Sequence, residues 1–192
     1  MTARPQAPSA DDWIGERAID LLDGRRILVR ALPRTGKSWF AERIAQGLGE
    51  TATLVRGREF TEKNQAGLRG DIVQELKDHV ARFGCAQLIF DDYHRALARS
   101  QGGRLQAQLY SALVDSPEAR DIGSIFFARQ MTPVHLSVRG SPLASRLDPA
   151  TLPEWDQRDL QHYGVDEPAD RLACTIGRSL SDLHRYSTSG YA

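Results

Sequence analysis

Two hydrophobic periods run along this chain and take turns. Ile14, Ala18, Leu21 and Leu22 recur at helical spacing, a helix that Asp11 or Asp12 would cap and Gly24 would stop. The short apolar run Ile27 to Val29 then predicts a first strand. Phe40, Ile44 and Leu48 form the stripe of a second helix ending at Gly47 and Gly49. Thr51 to Val55, short and rich in β-branched residues, predicts a second strand. Gly57 to Gly70 carries no clear period and is expected to be a long surface connection. Asp71 to Phe83 returns to the helical period, with Ile72, Leu76, Val80 and Phe83 on one face and Gly84 as its stop. Gln87 to Phe90 predicts a third strand that runs straight into Asp91 and Asp92. After a flexible loop at Ser100 to Gly103, Leu105, Leu109 and Leu113 mark another helix, closed by Ser116 and Pro117. Ser124 to Ala128 is a fourth strand, apolar throughout and followed at once by Arg129.

Beyond Arg129 the pattern loosens. A short strand is expected near Thr151 and Leu152, and two helical stretches at about 156–163 and 168–186. Short apolar strands alternating with helices imply βαβ units, hence an α/β sandwich in which helices flank a parallel sheet of about five strands. The expected organisation is a flexible arm over residues 1–10, a core over 11–155 and a short helical, lid-like segment over 156–192.

Composition narrows the picture only in places. Lys plus Arg equals Asp plus Glu, 25 each, so net charge gives no reason to expect non-specific binding to nucleic acid or membrane. Cys85 and Cys174 lie far apart and outside any metal-ligand spacing, so neither a metal cluster nor a disulfide framework is indicated. The five histidines show no such spacing either, although His94 falls close to Asp91 and Asp92. No apolar run reaches the length of a membrane span, and residues 1–10 lack the apolar centre of a signal peptide. The cytoplasm is the expected compartment.

The candidate chemistry gathers where strands end. In open parallel sheets ligands bind at the carboxyl ends of strands. Three polar groups stand there: the stretch from Ala31 to Ser38 after the first strand, Asp91-Asp92 after the third, and Arg129 after the fourth. The first stretch, with Pro33, Arg34, Thr35, Gly36, Lys37 and Ser38 and then Trp39 on the following helix, has the strand–loop–helix context of a phosphate-binding P-loop. Ala31 occupies the place of the first glycine of G-x-x-x-x-G-K-[ST], which alanine tolerates while φ stays negative. Backbone N–H groups and the helix dipole would hold phosphate, Lys37 would reach the β- and γ-phosphates, and Ser38 would ligate Mg²⁺. The chain has only three lysines, Lys37, Lys63 and Lys77, and one stands in this loop.

An acidic residue closing a strand beside such a loop is a Walker B aspartate. Asp91 is placed for the Mg²⁺ shell and Asp92 for orienting or deprotonating the attacking water; the plain alternative is a solvated turn. Arg129 would contact the γ-phosphate, unless it is a surface arginine ending a strand. Arg146 would serve as an arginine finger between stacked subunits, or equally form a stabilising ion pair. No N-K-x-D pattern is present, which disfavours GTP.

With these residues in view, the chain resembles the core of a STAND-type P-loop ATPase, relatives of AAA+ proteins, over about residues 13–185. Pro33 to Ser38 is similar to the family's RRTGKT/S loop, and Leu88-Ile89-Phe90-Asp91-Asp92 to its strand ending in two aspartates. Trp13 to Arg17 resembles the family's leading helix, which in relatives lies by the adenine. Ser124 to Arg129 resembles a sensor strand, Ser141 to Arg146 with Leu152 to Trp155 a following segment, and Thr175 to Leu180 the start of a lid helix. The Gly177-Arg178 pair departs from the family's Gly-Gly-x-Pro form.

The resemblance implies ATP and ADP as ligands, Mg²⁺ as the metal, and a slow ATPase working as a nucleotide-controlled switch or assembly factor. Partners would be another protein or a second copy of the chain. Other classes share this site: a small-molecule or polynucleotide kinase, an interaction protein that binds nucleotide with little hydrolysis, and an ATPase helping DNA transposition, replication or defence. Neutral charge does not indicate a nucleic-acid partner.

Overall fold

A computed structural model describes residues 9–31, 35–61, 64–99, 103–129 and 143–153. The first helix, α1 (Ala10–Leu22), starts earlier than its apolar stripe suggests. Its cap is Ser9 rather than Asp11 or Asp12. The Asp12 amide donates to Ser9 Oγ at 3.1 Å, and the Ser9 amide donates back to Asp12 Oδ2 at 3.3 Å. This reciprocal box satisfies two donors that a lone aspartate would leave open. Ser9 and Ala10 therefore belong with the helix and not with a flexible arm.

Five strands follow in the chain: β1 (Arg26–Ala31), β2 (Ala52–Arg56), β3 (Ala86–Asp91), β4 (Ile122–Arg129) and β5 (Asp148–Ala150). They form one sheet in the order β2-β3-β4-β1-β5, each pair parallel. The fifth strand lies slightly before the expected Thr151-Leu152, because Asp148 to Ala150 is the stretch that pairs with Ile27 to Val29. β3 and β4 are apolar along nearly their whole length because helices cover both faces of the sheet.

Alternation along the strands sorts the core into two layers. Ile27, Val29, Ile89, Ile125 and Phe127 pack against α1 and against α2 (Lys37–Leu48), whose Phe40 and Ile44 are buried as the stripe requires. Phe40 meets Trp13 edge-on at 5.1 Å. On the other face Leu88, Phe90, Ile122 and Phe126 pack against three helices: α3 (Gln65–Phe83), α4 (Tyr93–Arg99) and α5 (Gly103–Tyr110). Each large apolar side chain buried this way contributes roughly 1.5–3 kcal/mol.

Two parts of this second layer differ from the sequence reading. The stretch 57–70 is not a patternless connection. Gly57–Glu59 forms a 3₁₀ turn, Phe60 is wholly buried, and α3 already begins at Gln65. Leu68 extends the Ile72–Leu76 stripe by one turn, a continuation that the glycines on either side disguise. The α4 helix was not expected at all. Its Tyr93, Ala96 and Leu97 are buried within seven residues, too short a span for a helical period to show.

The expected features of residues 154–192, including the lid-like segment with Arg178, lie outside the described residues. So do Pro33 and Arg34 in the loop and Ser141-Pro142.

Candidate functional site

The sheet order decides how the polar strand ends meet. β4 lies between β1 and β3, so Arg129 emerges between the end of the loop strand and the end of the Asp91 strand. At this edge Gly36, Lys37, Ser38, Trp39, Asp92, Arg95 and Arg129 line one cleft of about 430 Å³. Lys37, Asp92 and Arg129, the three residues assigned catalytic roles from the sequence, thus share a single cleft.

The loop strand ends in ordinary extended backbone. Ala31 is the last residue of β1, in register with Arg129, and Asp92 is the sole non-glycine residue with positive φ among the described residues. A side chain at position 31 therefore meets no conformational obstacle. Gly36 differs. Its φ of 86° puts it in the left-handed region at the start of α2, where an L side chain is strained.

The α2 amino terminus carries no side-chain cap and no acidic residue in its first turn, whereas α1 has both. No side chain caps its leading turn, and its dipole favours an anion. Lys37 is buried, with Nζ 3.5 Å from the Ala31 carbonyl oxygen, at the outer limit of a hydrogen bond. Burial lowers its pKa, outweighing the attraction of Asp92 and Asp91, while Arg129 lowers it further.

Ser38 and Asp91, the pair assigned to Mg²⁺, are joined directly. Ser38 Oγ donates to Asp91 Oδ2 at 2.7 Å, and the Asp92 amide donates to Asp91 Oδ1 at 2.8 Å. Both fit the hard-oxygen chemistry of Mg²⁺, which keeps several waters and takes one or two protein oxygens alongside substrate phosphates. No cluster of three His, Cys, Asp or Glu side chains suited to a metal occurs among the described residues.

Asp91 is buried, and burial raises its pKa more than the Ser38 hydrogen bond lowers it. In the window between 3.8 and this raised value the folded protein holds more protons than the unfolded chain, so stability falls as pH rises through it. Asp91→Asn keeps an oxygen for the Asp92 amide, lets Nδ2 donate to Ser38 Oγ in place of accepting from it, and removes that cost. At neutral pH it is expected to raise the Tm of the ligand-free protein, by about 2–4 °C per kcal/mol relieved. Thermal unfolding at pH 4 and pH 8 checks this, the gain being larger at pH 8.

Asp92 sits at φ 51°, a conformation aspartate and asparagine tolerate better than most residues. Its carbonyl accepts from the Arg95 amide at 2.8 Å, which starts α4, and its carboxylate faces Arg95 Nε at 3.5 Å. His94, two residues on, is buried, and its Nδ1 has no hydrogen-bond partner among the described residues. Burial lowers its pKa more than Asp92 raises it.

Two contributors escaped the sequence reading. Arg95 was missed because α4 was, although its spacing of three from Asp92 is the available signal. Gly57 follows β2 against this corner, and a Cβ there would stand 2.1 Å from the Asp92 carbonyl oxygen. Gly57→Ala must therefore displace Asp92. A loss of roughly 1–3 kcal/mol is expected, seen as a Tm drop of several degrees.

Trp13 is spent in the core, its Nε1 donating to the Thr151 carbonyl at 3.1 Å. Trp39 packs on Phe40, and the Arg43 guanidinium lies 5.4 Å from its ring centre. Arg146 is exposed in a 3₁₀ turn just before β5 and forms no ion pair among the described residues. Preceding a parallel strand, it stands at the sheet edge opposite the cleft. It cannot reach the site of its own chain.

No family model matches this sequence, and no curated protein matches it. Solved structures do resemble the fold. The Aeropyrum pernix Orc1 protein, solved in complex with DNA, matches with a TM-score of 0.65 at 13% identity, over 94% of this chain and 59% of its own. The Thermotoga maritima RuvB Holliday junction branch migration motor matches more loosely, with a TM-score of 0.42 at 19% identity, over 75% of this chain and 46% of its own. The chain thus spans about three fifths of the Orc1 chain's length and under half of RuvB's. Its parallel five-stranded sheet with helices on both faces is an α/β fold of the P-loop NTPase type.

Proposed function

We propose that this protein binds ATP with Mg²⁺ at the amino terminus of α2 and hydrolyses it slowly, as a nucleotide-controlled switch or assembly factor of the STAND type. One observation carries the reading. A helix amino terminus without a side-chain cap, a buried lysine, a Ser38–Asp91 pair 2.7 Å apart and Arg129 meet at one sheet edge.

In this reading the α2 amides and Lys37 hold the β- and γ-phosphates. Ser38 and Asp91 hold Mg²⁺, which neutralises charge developing on the phosphates. Asp92 orients the attacking water and takes its proton, with Arg95 fixing the carboxylate. Arg129 faces the γ-phosphate and stabilises charge in the transition state. Arg146 is left for the site of a second copy.

Calorimetric titration with ATP and GTP, with and without Mg²⁺, tests the ligand. The expected result is Mg²⁺-dependent binding that favours ATP. An assay for free phosphate tests the reaction, since a kinase would place the phosphate on an added acceptor instead. Absence of any nucleotide binding would overturn the proposal.

A further inference from the structure

On the face of the molecule built by α3 and α5, Arg69 is buried, 8% exposed, yet its Nε has no hydrogen-bond partner among the described residues. No ion pair reaches it there either. A guanidinium cannot shed its proton, so a buried Nε–H without an acceptor costs about 1–3 kcal/mol that neutralisation cannot relieve. Such a group persists where something else meets its charge.

The surroundings of Arg69 point to what that is. It opens onto a cleft of about 250 Å³ between α3 and the end of α5. Lys77 lines the same cleft, two turns further along α3 on the same helix face. Gln108, Ser111 and Ser116 supply polar atoms from the opposite wall. No carboxylate lines it. None of the three acidic residues of α3 lines the cleft: Asp71 is exposed, Glu75 accepts from Thr53 Oγ1 at 3.1 Å, and Asp78 accepts from the lining Gln74 Nε2 at 2.8 Å. The opposite wall is itself irregular. After α5 the chain widens into a π-helical turn over Ser111–Asp115, and Ser111 and Ala112 of this turn line the cleft. Such turns are costly and occur frequently at functional sites.

We infer that this cleft is a second, anion-binding site, taking a small phosphate-bearing ligand whose oxyanion is held by Arg69 with Lys77 as the second positive group. The guanidinium fork matches two phosphate oxygens at once, and two cations without a carboxylate suit a dianion. The volume admits a phosphoryl group with a small substituent. The site lies across the sheet from α2, and the inference is independent of the nucleotide reading.

The test uses the full chain carrying Lys37→Ala, so that phosphate binding at the α2 amino terminus does not contribute, with pyrophosphate as the probe. The expected results are a saturable shift of the Arg69 Nε–H resonance and a Tm rise of roughly 3–6 °C at tenfold excess over the dissociation constant. Adding Arg69→Gln should abolish both while leaving the anion-free Tm unchanged or higher, since it removes a buried donor without an acceptor. Lys77→Gln should weaken binding several-fold without affecting folding. The inference is overturned by an Arg69 signal that does not respond, by an equal response to chloride at matched ionic strength, or by a lower anion-free Tm with Arg69→Gln, which would make Arg69 a structural partner.

Discussion

Lys37→Ala is expected to weaken Mg²⁺–ATP binding by about a hundredfold or more, the usual cost of truncating one member of a buried charge contact. The size follows from where Lys37 sits. It is 7% exposed at the first position of α2, beside the helix dipole and the leading amides, so a phosphate there meets its charge with little solvent screening. The same substitution should leave the fold intact. Burial holds the Lys37 pKa below its ordinary value, so between that lowered value and 10.5 the unfolded chain binds more protons than the folded one. Stability contributed by this group therefore rises with pH through that window, and Lys37→Ala removes the rise. Calorimetric titration and thermal unfolding from pH 8 to pH 10 measure the two effects separately. An affinity within threefold of the unsubstituted protein would show that the α2 amino terminus is not the phosphate site.

Asp92→Asn should reduce ATP hydrolysis by about 10²–10⁴-fold, the range for removing a positioned base, while changing nucleotide affinity little. Asparagine suits this test because it also accepts the left-handed conformation that Asp92 adopts at φ 51°. The turn into α4, closed by the Arg95 amide on the Asp92 carbonyl, is kept. Only the carboxylate is lost. Single-turnover phosphate release, compared with binding of the same nucleotide, separates the two quantities. Unchanged turnover would remove Asp92 from the chemistry and leave its ion pair with Arg95 as its role.

The nucleotide edge was legible in the sequence because each of its parts follows a strand. Apolar runs marked β1, β3 and β4, and a parallel sheet must bring their carboxyl ends to one side. What a linear pattern could not give is their lateral order. That order, with β4 inserted between β1 and β3, is what sets Arg129 between the loop and Asp91. The α4 helix was hidden by its brevity, and Arg95 with it. Gly57 looked like the opening of a connection, yet it is held against the Asp92 carbonyl by a close approach that no periodicity encodes. The start of α3 was concealed by Gly67 and Gly70, and with it the burial of Arg69. Arg146 read as a candidate from its segment alone. The parallel pairing of β5 with β1 is what removes it from its own chain's cleft.

The central claim, a Mg²⁺–ATP site at the amino terminus of α2, is tested most directly by a crystal structure of the protein with Mg²⁺ and a non-hydrolysable ATP analogue. The predicted result places the β- and γ-phosphates on the α2 amides and Lys37 Nζ, Mg²⁺ on Ser38 Oγ and the Asp91 carboxylate, and Arg129 against the γ-phosphate. An analogue bound elsewhere, or this edge left empty at saturating analogue, would contradict it.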